Sequence, residues 1–464
     1  MAWSPGIRVR TSRRAALGGA GWLAGAAALG ACGPATSAPA EPAARSTPTG
    51  KVYFMSRSGE YIFNLFREQA RAFNEDYPAI QIEIDNPTTD WFQKFQTLVA
   101  SGSPVDALFH SDSNVGTSVR DGALEPLDGY LAKQKDFKEG DFEKGAWFAT
   151  QYQGKRWGLP WDSGAYALFF NMDLFQAANV PFPDPKRRMT WDDVLGLARR
   201  LTIDANGRRP TDSGFDPANV KQYGFQTNNS WGLANFVMSN GAELLTADGK
   251  VPVDTPAAIE AMQFVADLRT KYYVWNGPQY APPQPVDFNR HNLAMIHQGV
   301  WQLGRYNEAG LRWGAVPAPM KKAPVSGGHY SPLSMARQAQ NKDATWAWIY
   351  FACLSERGQG MLVDAGQMQP MRRSLEARFV NADKPPAPQY RQVFADELKG
   401  ATLRVTGDKA GSYWGGYKRE WGQIWDAVLA PVYKGEKQVA QVAADLRRYT
   451  EHLLKSGQVP VIGS

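Results

Sequence analysis

The chain has 464 residues, with 51 Lys and Arg against 45 Asp and Glu, a formal charge of +6. Four of the cations (Arg8, Arg10, Arg13, Arg14) fall in the first 31 residues, which hold no acid. The remainder carries 47 against 45 and offers no basic footprint for a phosphate backbone. Apolar residues at 43% and charged residues at 21% exclude wholesale disorder, and two cysteines exclude a disulfide scaffold or a multi-thiolate metal site. The length gives two or three domains' worth of chain. The one abnormal quantity is aromatic content, at 12% with 16 Trp.

Residues 1–31 have the form of a cleaved export signal. A basic start ends in Arg13-Arg14, an uncharged Ala- and Gly-rich stretch runs from Ala15 to Ala31, and small residues surround Cys32. Seventeen weakly apolar residues lie at the edge of the length that spans a bilayer, so a secretory signal fits better than a membrane helix. Ser12-Arg13-Arg14-Ala15-Ala16-Leu17 resembles the twin-arginine signal, with Ala16 and Gly18 where Phe and Lys are usual. Leu29-Gly30-Ala31-Cys32 resembles the bacterial lipobox, which implies a lipid on Cys32. Residues 32–50 are rich in Pro, Ala, Ser and Thr, the composition of a flexible tether.

From residue 51 the pattern alternates. Lys51 to Ser56 reads as a strand, and Ile62, Leu65, Phe66, Ala70 and Phe73 fall at helix spacing until Pro78 stops the run. Ile80, Ile82 and Ile84 alternate as a strand does, Phe92, Phe95, Leu98 and Val99 are helical, and Ala107 to Phe109 is a short strand. This β-α-β-α-β order predicts a parallel sheet, with ligands at the carboxyl ends of its strands in the loops 56–60 and 110–114. Further strands are expected at Tyr166 to Phe170, Tyr223 to Gln226 and Leu293 to Ile296. Helices are expected from Thr190-Trp191-Asp192-Asp193 to Leu201, over Trp231 to Gly241 and over Pro256 to Tyr273. Cys353 lies in an apolar helix pattern, Trp346 to Leu354, and is expected to be a buried small hydrophobe.

Six segments in order carry a family resemblance. The most specific is Tyr152-Gln153-Gly154-Lys155-Arg156-Trp157-Gly158-Leu159-Pro160-Trp161-Asp162, followed by Leu168-Phe169-Phe170-Asn171-Met172-Asp173-Leu174-Phe175. Leu124 to Tyr130, Met189 to Asp193, Leu293 to Trp301 and Pro370-Met371-Arg372-Arg373-Ser374 support it. Together they resemble the extracellular solute-binding proteins, family 1, of ABC importers. Two departures lie near the presumed cleft: Pro104-Val105-Asp106 stands for the usual Pro-Asp-Val, and Gly327-Gly328-His329-Tyr330 for Gly-Gly followed by small residues. The resemblance implies an α/β, two-lobe periplasmic-binding-protein fold (type II), each lobe a mainly parallel sheet flanked by helices, joined by a hinge. Lobe 1 would take 51–162 and 329–375, and lobe 2 would take 163–328 and 376–464. It also implies a monomer that captures a carbohydrate, an oligosaccharide for preference, and delivers it to ABC permease subunits with a cytoplasmic ATPase. The membrane would be reached through the lipid anchor on Cys32; no nucleic acid, cofactor or metal is implied.

A carbohydrate cleft needs flat aromatics under C–H faces and short polar groups around hydroxyl rims. The expected ligand contacts are Trp301 in the turn after a strand, Trp231 at a strand's carboxyl end, and Trp161 with Asp162 at the hinge mouth. Trp414 matches a sugar-stacking position of the relatives, Asp112 and Ser58 sit in first-lobe loops, and Gly328 and His329 lie at the hinge. Trp147, Trp191, Trp275, Trp346, Trp348 and Trp425 fall in helical patterns and are expected to pack. No phosphate loop, nucleophile elbow or His-x-x-x-His occurs. Still open are a polyol phosphate or polyamine as solute, a sensor or adhesin role, and a glycoside-active enzyme using a carboxylate pair.

Overall fold

The computed structural model describes residues 48–462 apart from 88, 144, 146, 148–149, 229–230, 247, 279–284, 328, 367 and 401–416, with backbone alone at 163, 231, 329 and 418. Cys32, Gly328 and Trp414 therefore lie outside the described residues. Twelve strands are described: β1 Gly50–Met55, β2 Ile80–Asp85, β3 Ala107–Phe109, β4 Gln151–Tyr152, β5 Lys155–Arg156, β6 Leu159–Gly164, β7 Tyr166–Asn171, β8 Ile203–Asp204, β9 Val220–Gln222, β10 Met295–Gly299, β11 Trp313–Pro317 and β12 His329–Met335. The first sheet has the order β2-β1-β3-β12-β6, its first three strands parallel and β12 antiparallel to both of its neighbours, β3 and β6. β1 begins at Gly50, which pairs with Ile80, one residue inside the segment expected as tether.

Helix α1 (Glu60–Asp76) buries Ile62, Leu65, Phe66, Gln69, Ala70 and Phe73 along one stripe, as the 3.6-residue period requires. That stripe meets the first core, where Phe66 packs edge-on against Phe54 and Phe109 and tilted against Trp161, with ring centroids 4.6 to 5.0 Å apart. Cys353 is buried there, as expected, with its Sγ 3.4 Å from the Leu159 carbonyl oxygen and its thiol pKa pushed up by burial. The six tryptophans assigned to packing are all buried.

The second sheet differs from the expectation of a mainly parallel one. β7 lies between β10 and β11 and is antiparallel to both. Parallel pairing survives as isolated bridges, Tyr223 to Leu293 and Gln226 to Ile296, so the strand expected at 223–226 is only a pair of single contacts. The reason is topological: helix Leu303–Glu308 carries the chain back between β10 and β11, which therefore run the same way, and β7 fills the place between them in the opposite sense. Thr190 and Asp193 form the expected capping box on helix Trp191–Leu201, and this helix and helix Pro256–Thr270 cover the second core.

The chain passes from one core to the other between Ala165 and Tyr166, and back between Val325 and Tyr330. Ser326 ties the crossings together, its Oγ accepting from Tyr166 N at 3.0 Å and donating to Tyr166 O at 3.1 Å. In the β6–β12 ladder, Ser331 faces Asp162 but Pro332 faces Pro160, so Trp161 is the extra residue of a bulge. Neither proline has an N–H to give the ladder. The carbonyl of Trp161 accepts instead from Gln359 Nε2 at 2.8 Å.

Candidate functional site

A cavity of about 350 Å³ opens where the two cores meet, beside the crossing strands. Among the described residues, the loop after β1 and the start of α1 give Arg57, Ser58, Gly59, Tyr61 and Ile62. β3 gives Phe109, and the crossing strands give Asp162, Tyr166 and Ser331. From the second core come Asn228, Gln298 and Trp301. The loop after β1 and the end of β3 bring their residues to the carboxyl edge of the first sheet, while Asp162 and Ser331 lie within the crossing strands β6 and β12.

Trp301 touches both halves. It is partly buried and packs against both cores. Its indole meets Tyr166 edge-on, with centroids 5.3 Å apart and an interplanar angle of 80°. Its carbonyl accepts from Tyr61 Oη at 2.8 Å, a bond from α1 to the turn after β10. Gly299 makes room for this ring, since a Cβ there would lie 1.9 Å from Trp301 Cζ3. The glycine's φ of −88° is ordinary, so the requirement is space rather than backbone freedom. Gly299→Ala is expected to swing the indole out of the junction, change the near-ultraviolet circular dichroism and cost about 1–3 kcal/mol as overpacking does. An unchanged spectrum with an unchanged thermal midpoint would contradict this placement.

Polar groups line the rest. Asn228 donates through Nδ2 to Tyr166 Oη at 2.8 Å and to Gln298 Oε1 at 3.4 Å, while its Oδ1 accepts from Gly232 N at 2.6 Å. This ties the lining to the first turn of helix Trp231–Ser239. Asp162 Oδ1 accepts from Ser331 N at 2.7 Å, joining the two crossing strands. Ser58 is held from both sides: its Oγ lies 2.7 Å from Ser56 Oγ, and Asn86 bonds its N–H and carbonyl at 3.1 Å. Burial lowers the pKa of Arg57, against the carboxylates of Asp162 and Asp112, which hold it charged. Burial raises the hydroxyls of Tyr61 and Tyr166, leaving both as neutral hydrogen-bonding groups.

Of the residues singled out in the sequence, Trp301, Asp162 and Ser58 come together in this cavity. Asp112 is buried in the turn Asp112–Asn114 after β3, and its charge reaches Arg57 and Tyr166, but it is not among the described lining. Trp161 is a correction. The bulge turns it into the first core, where it is fully buried, packs on Phe66 and Phe109, and donates its indole N–H to Gln69 Oε1 at 3.0 Å. It has no open face for a ligand. Trp231 opens helix Trp231–Ser239 beside Asn228, and His329 pairs with Gly164 at the start of β12; the structure describes only their backbone.

Arg57, Tyr61, Tyr166, Asn228, Gln298 and Ser331 were not singled out. Arg57 stands inside the 56–60 loop that strand-end reasoning marked, and Gln298 and Asn228 flank the two tryptophans chosen beside them. Tyr166 and Ser331 depend on the long-range pairing of crossing strands, which no local pattern reports. Among the described residues no cluster of three His, Cys, Asp or Glu side chains could hold a metal ion, and no helix is long and apolar enough to cross a membrane.

Comparison with known proteins adds a family. The sequence profile of the bacterial extracellular solute-binding proteins matches residues 59–358. A chain of Brucella abortus named as a binding protein is 25% identical over 305 residues, 64% of this chain and 69% of that one. A maltotriose-binding protein of Pyrococcus abyssi is 22% identical over 434 residues, covering 88% of this chain and 83% of its own length. Among solved structures, an ABC substrate-binding protein from Listeria monocytogenes in complex with cycloalternan superposes with a TM-score of 0.73 at 19% identity, covering 88% of this chain and 99% of its own. This likeness establishes the two-lobe fold of these binding proteins.

Proposed function

The chain belongs to the bacterial extracellular solute-binding protein family, and from that premise we propose that it is the carbohydrate-capturing subunit of an ABC importer. The observation that carries this reading is the lining of the cavity between the cores. Trp301 and Tyr61 supply aromatic surface, with the buried Tyr166 against the Trp301 ring, beside Ser58, Ser331, Asn228, Gln298, Asp162 and Arg57. Flat rings cover the C–H faces of a sugar, and short side chains with both donors and acceptors match its hydroxyl rim. The names of the relatives support the same class, one being a maltotriose-binding protein and another solved with cycloalternan.

The lobes are 51–162 with 329–375, and 163–328 with 376–464. The open form takes an oligosaccharide on one lobe and closes about the crossing strands 162–166 and 325–331. Closure brings Trp301, with Trp231 and Trp414, onto the ligand, beside Ser58, Asp162, Asp112 and the hinge residues Gly328 and His329. Binding shifts the population toward the closed state by the ligand's differential affinity for it. The closed monomer then presents both lobes to the permease. Export by the twin-arginine route and acylation of Cys32 hold it at the outer face of the cell membrane.

Isothermal calorimetry on the full-length mature protein tests the reading, against neutral oligosaccharides, a polyol phosphate, a uronate trisaccharide and spermidine. The expected result is binding of a neutral oligosaccharide with no turnover of the glycosidic bond. Binding of spermidine or the polyol phosphate alone would overturn the carbohydrate assignment, and release of reducing sugar would overturn the transport role.

A further inference from the structure

We propose that Arg120, from the first half of the molecule, and Glu420 with Tyr417, from the second, form a clasp that holds the halves closed on a bound solute. This rests on the closure proposed above and assigns the solute's residence time to side chains outside the described lining of the cavity.

The clasp joins elements that belong to different cores. Val52 and Phe54 of β1 face the first core, while Met55 and Leu108 of β1 and β3 face a smaller cluster on the other side of the same sheet. Helix Trp91–Ser101 puts Phe92 and Phe95 into that cluster, and Val119 of helix Val115–Arg120 packs against it. Helix Lys418–Tyr433 is instead part of the second core, through Ile424, Val428 and Leu429, with Tyr417 packed beside it. Each helix is therefore anchored in its own half, and parting the halves unfolds neither.

Where these helices meet, an arginine from each half lies over a ring of the other. The guanidinium carbon of Arg120 is 3.7 Å from the Tyr417 ring centroid, and that of Arg419 is 5.5 Å from the Phe92 centroid. Arg120 Nη2 also lies 3.5 Å from Glu420 Oε1, and Thr117 Oγ1 reaches the same oxygen at 3.5 Å. Arg120 Nη2 donates to Thr117 Oγ1 at 3.1 Å, so hydroxyl and guanidinium approach one carboxylate together. The side chains of Arg120 and Glu420 are 25% and 18% exposed, open enough for salt to screen the pair.

Contacts that cross between halves are made in the closed state and lost in the open one, so they add to the solute's own contacts in favouring closure. The bond from Tyr61 to Trp301 O crosses from α1, on the opposite face of the first sheet, so the second half is tied to that sheet on both sides. The clasp forms once the solute is seated. Its effect is expected in the rate of dissociation and not in that of capture.

Stopped-flow fluorescence with maltotriose tests this on the mature protein, as wild type, Arg120→Ala, Glu420→Gln and the double variant. Arg120→Ala loses the ring contact and the ion pair, and should speed dissociation about five- to tenfold with the association rate unchanged. Glu420→Gln should speed it about threefold. Glu420 also stands in the first turn of its helix, where an acid suits the dipole, so the coupling is read from the double variant. There Glu420→Gln should add less than about twofold to Arg120→Ala. Raising sodium chloride from about 0.05 M to about 0.5 M should speed dissociation from wild type about threefold and leave Arg120→Ala unmoved. Wild-type dissociation in Arg120→Ala, a loss confined to association, or full additivity in the double variant would each overturn the clasp. If wild type binds no saccharide, the carbohydrate reading fails by itself, and small-angle X-ray scattering of the ligand-free proteins decides about the clasp. The radius of gyration should then be larger in Arg120→Ala than in wild type and should rise with salt in wild type alone; equal radii would overturn the proposal.

Discussion

Trp301→Ala is expected to weaken carbohydrate binding about a hundredfold while leaving the fold intact. The indole is partly buried at the junction, held edge-on by Tyr166, and set there by the missing side chain at Gly299. Replacing it removes both the apolar area a sugar face would cover and the ring geometry that favours C–H contact, together worth about 2–4 kcal/mol. The hydrogen bond from Tyr61 survives, because it is received by the backbone carbonyl. Binding should therefore suffer far more than stability, and Trp301→Phe should keep part of the affinity. Calorimetry with the saccharide that wild type binds decides it; an alanine variant with wild-type affinity would remove Trp301 from the site.

Acid should destabilise the protein steeply, through two histidines that never touch the solvent. His110 follows β3 directly, with Nε2 2.8 Å from Ser334 Oγ, and His297 lies in β10 of the second sheet, with Nδ1 3.2 Å from Thr227 Oγ1. Burial pulls each imidazole down to about 3 from its ordinary 6.5, and the charge of Arg57 adds to the effect at His110. Between those values the unfolded chain binds protons that the folded chain does not, so stability is full above about pH 6.5 and is lost as pH falls toward about 3. Each histidine contributes a slope of about 1.4 kcal/mol per pH unit, so the pair should lower stability by about 4 kcal/mol at pH 5 relative to pH 7.5. Urea unfolding at the two pH values measures this. The double substitution His110→Gln, His297→Gln should flatten the dependence, and an equally steep fall in the double variant would refute the account.

The first lobe was legible because its signals are local. Ile80, Ile82 and Ile84 alternate, the stripe from Ile62 to Phe73 keeps helix spacing, and Ala107–Phe109 is a strand in both readings. The second sheet was less so, since β7 pairs with strands that follow it by more than a hundred residues, and nothing within β7 states their direction. The site divides the same way. Trp301 could be found because a turn after a strand points to a sheet edge. Trp161 was misplaced because its direction depends on a register shift across from Pro332, over a long span of intervening chain. Arg57 was passed over because arginine in a loop is ordinary, and only its place in the lining of the cavity makes it unusual.

The facing prolines have a mechanical consequence. They divide the β6–β12 ladder into a short piece at Leu159 and Leu333, anchored in the first core, and another at 162–164 with 329–331, next to the crossings. A ladder with a gap is softer in bending than a continuous one. In the proposed closure, rotation of one lobe against the other would concentrate in a few residues beside Asp162 and Ser331, which also line the cavity. The stiffness of the hinge and the fit of the ligand would then be set by the same short stretch of chain, and a substitution at either proline would be felt in both.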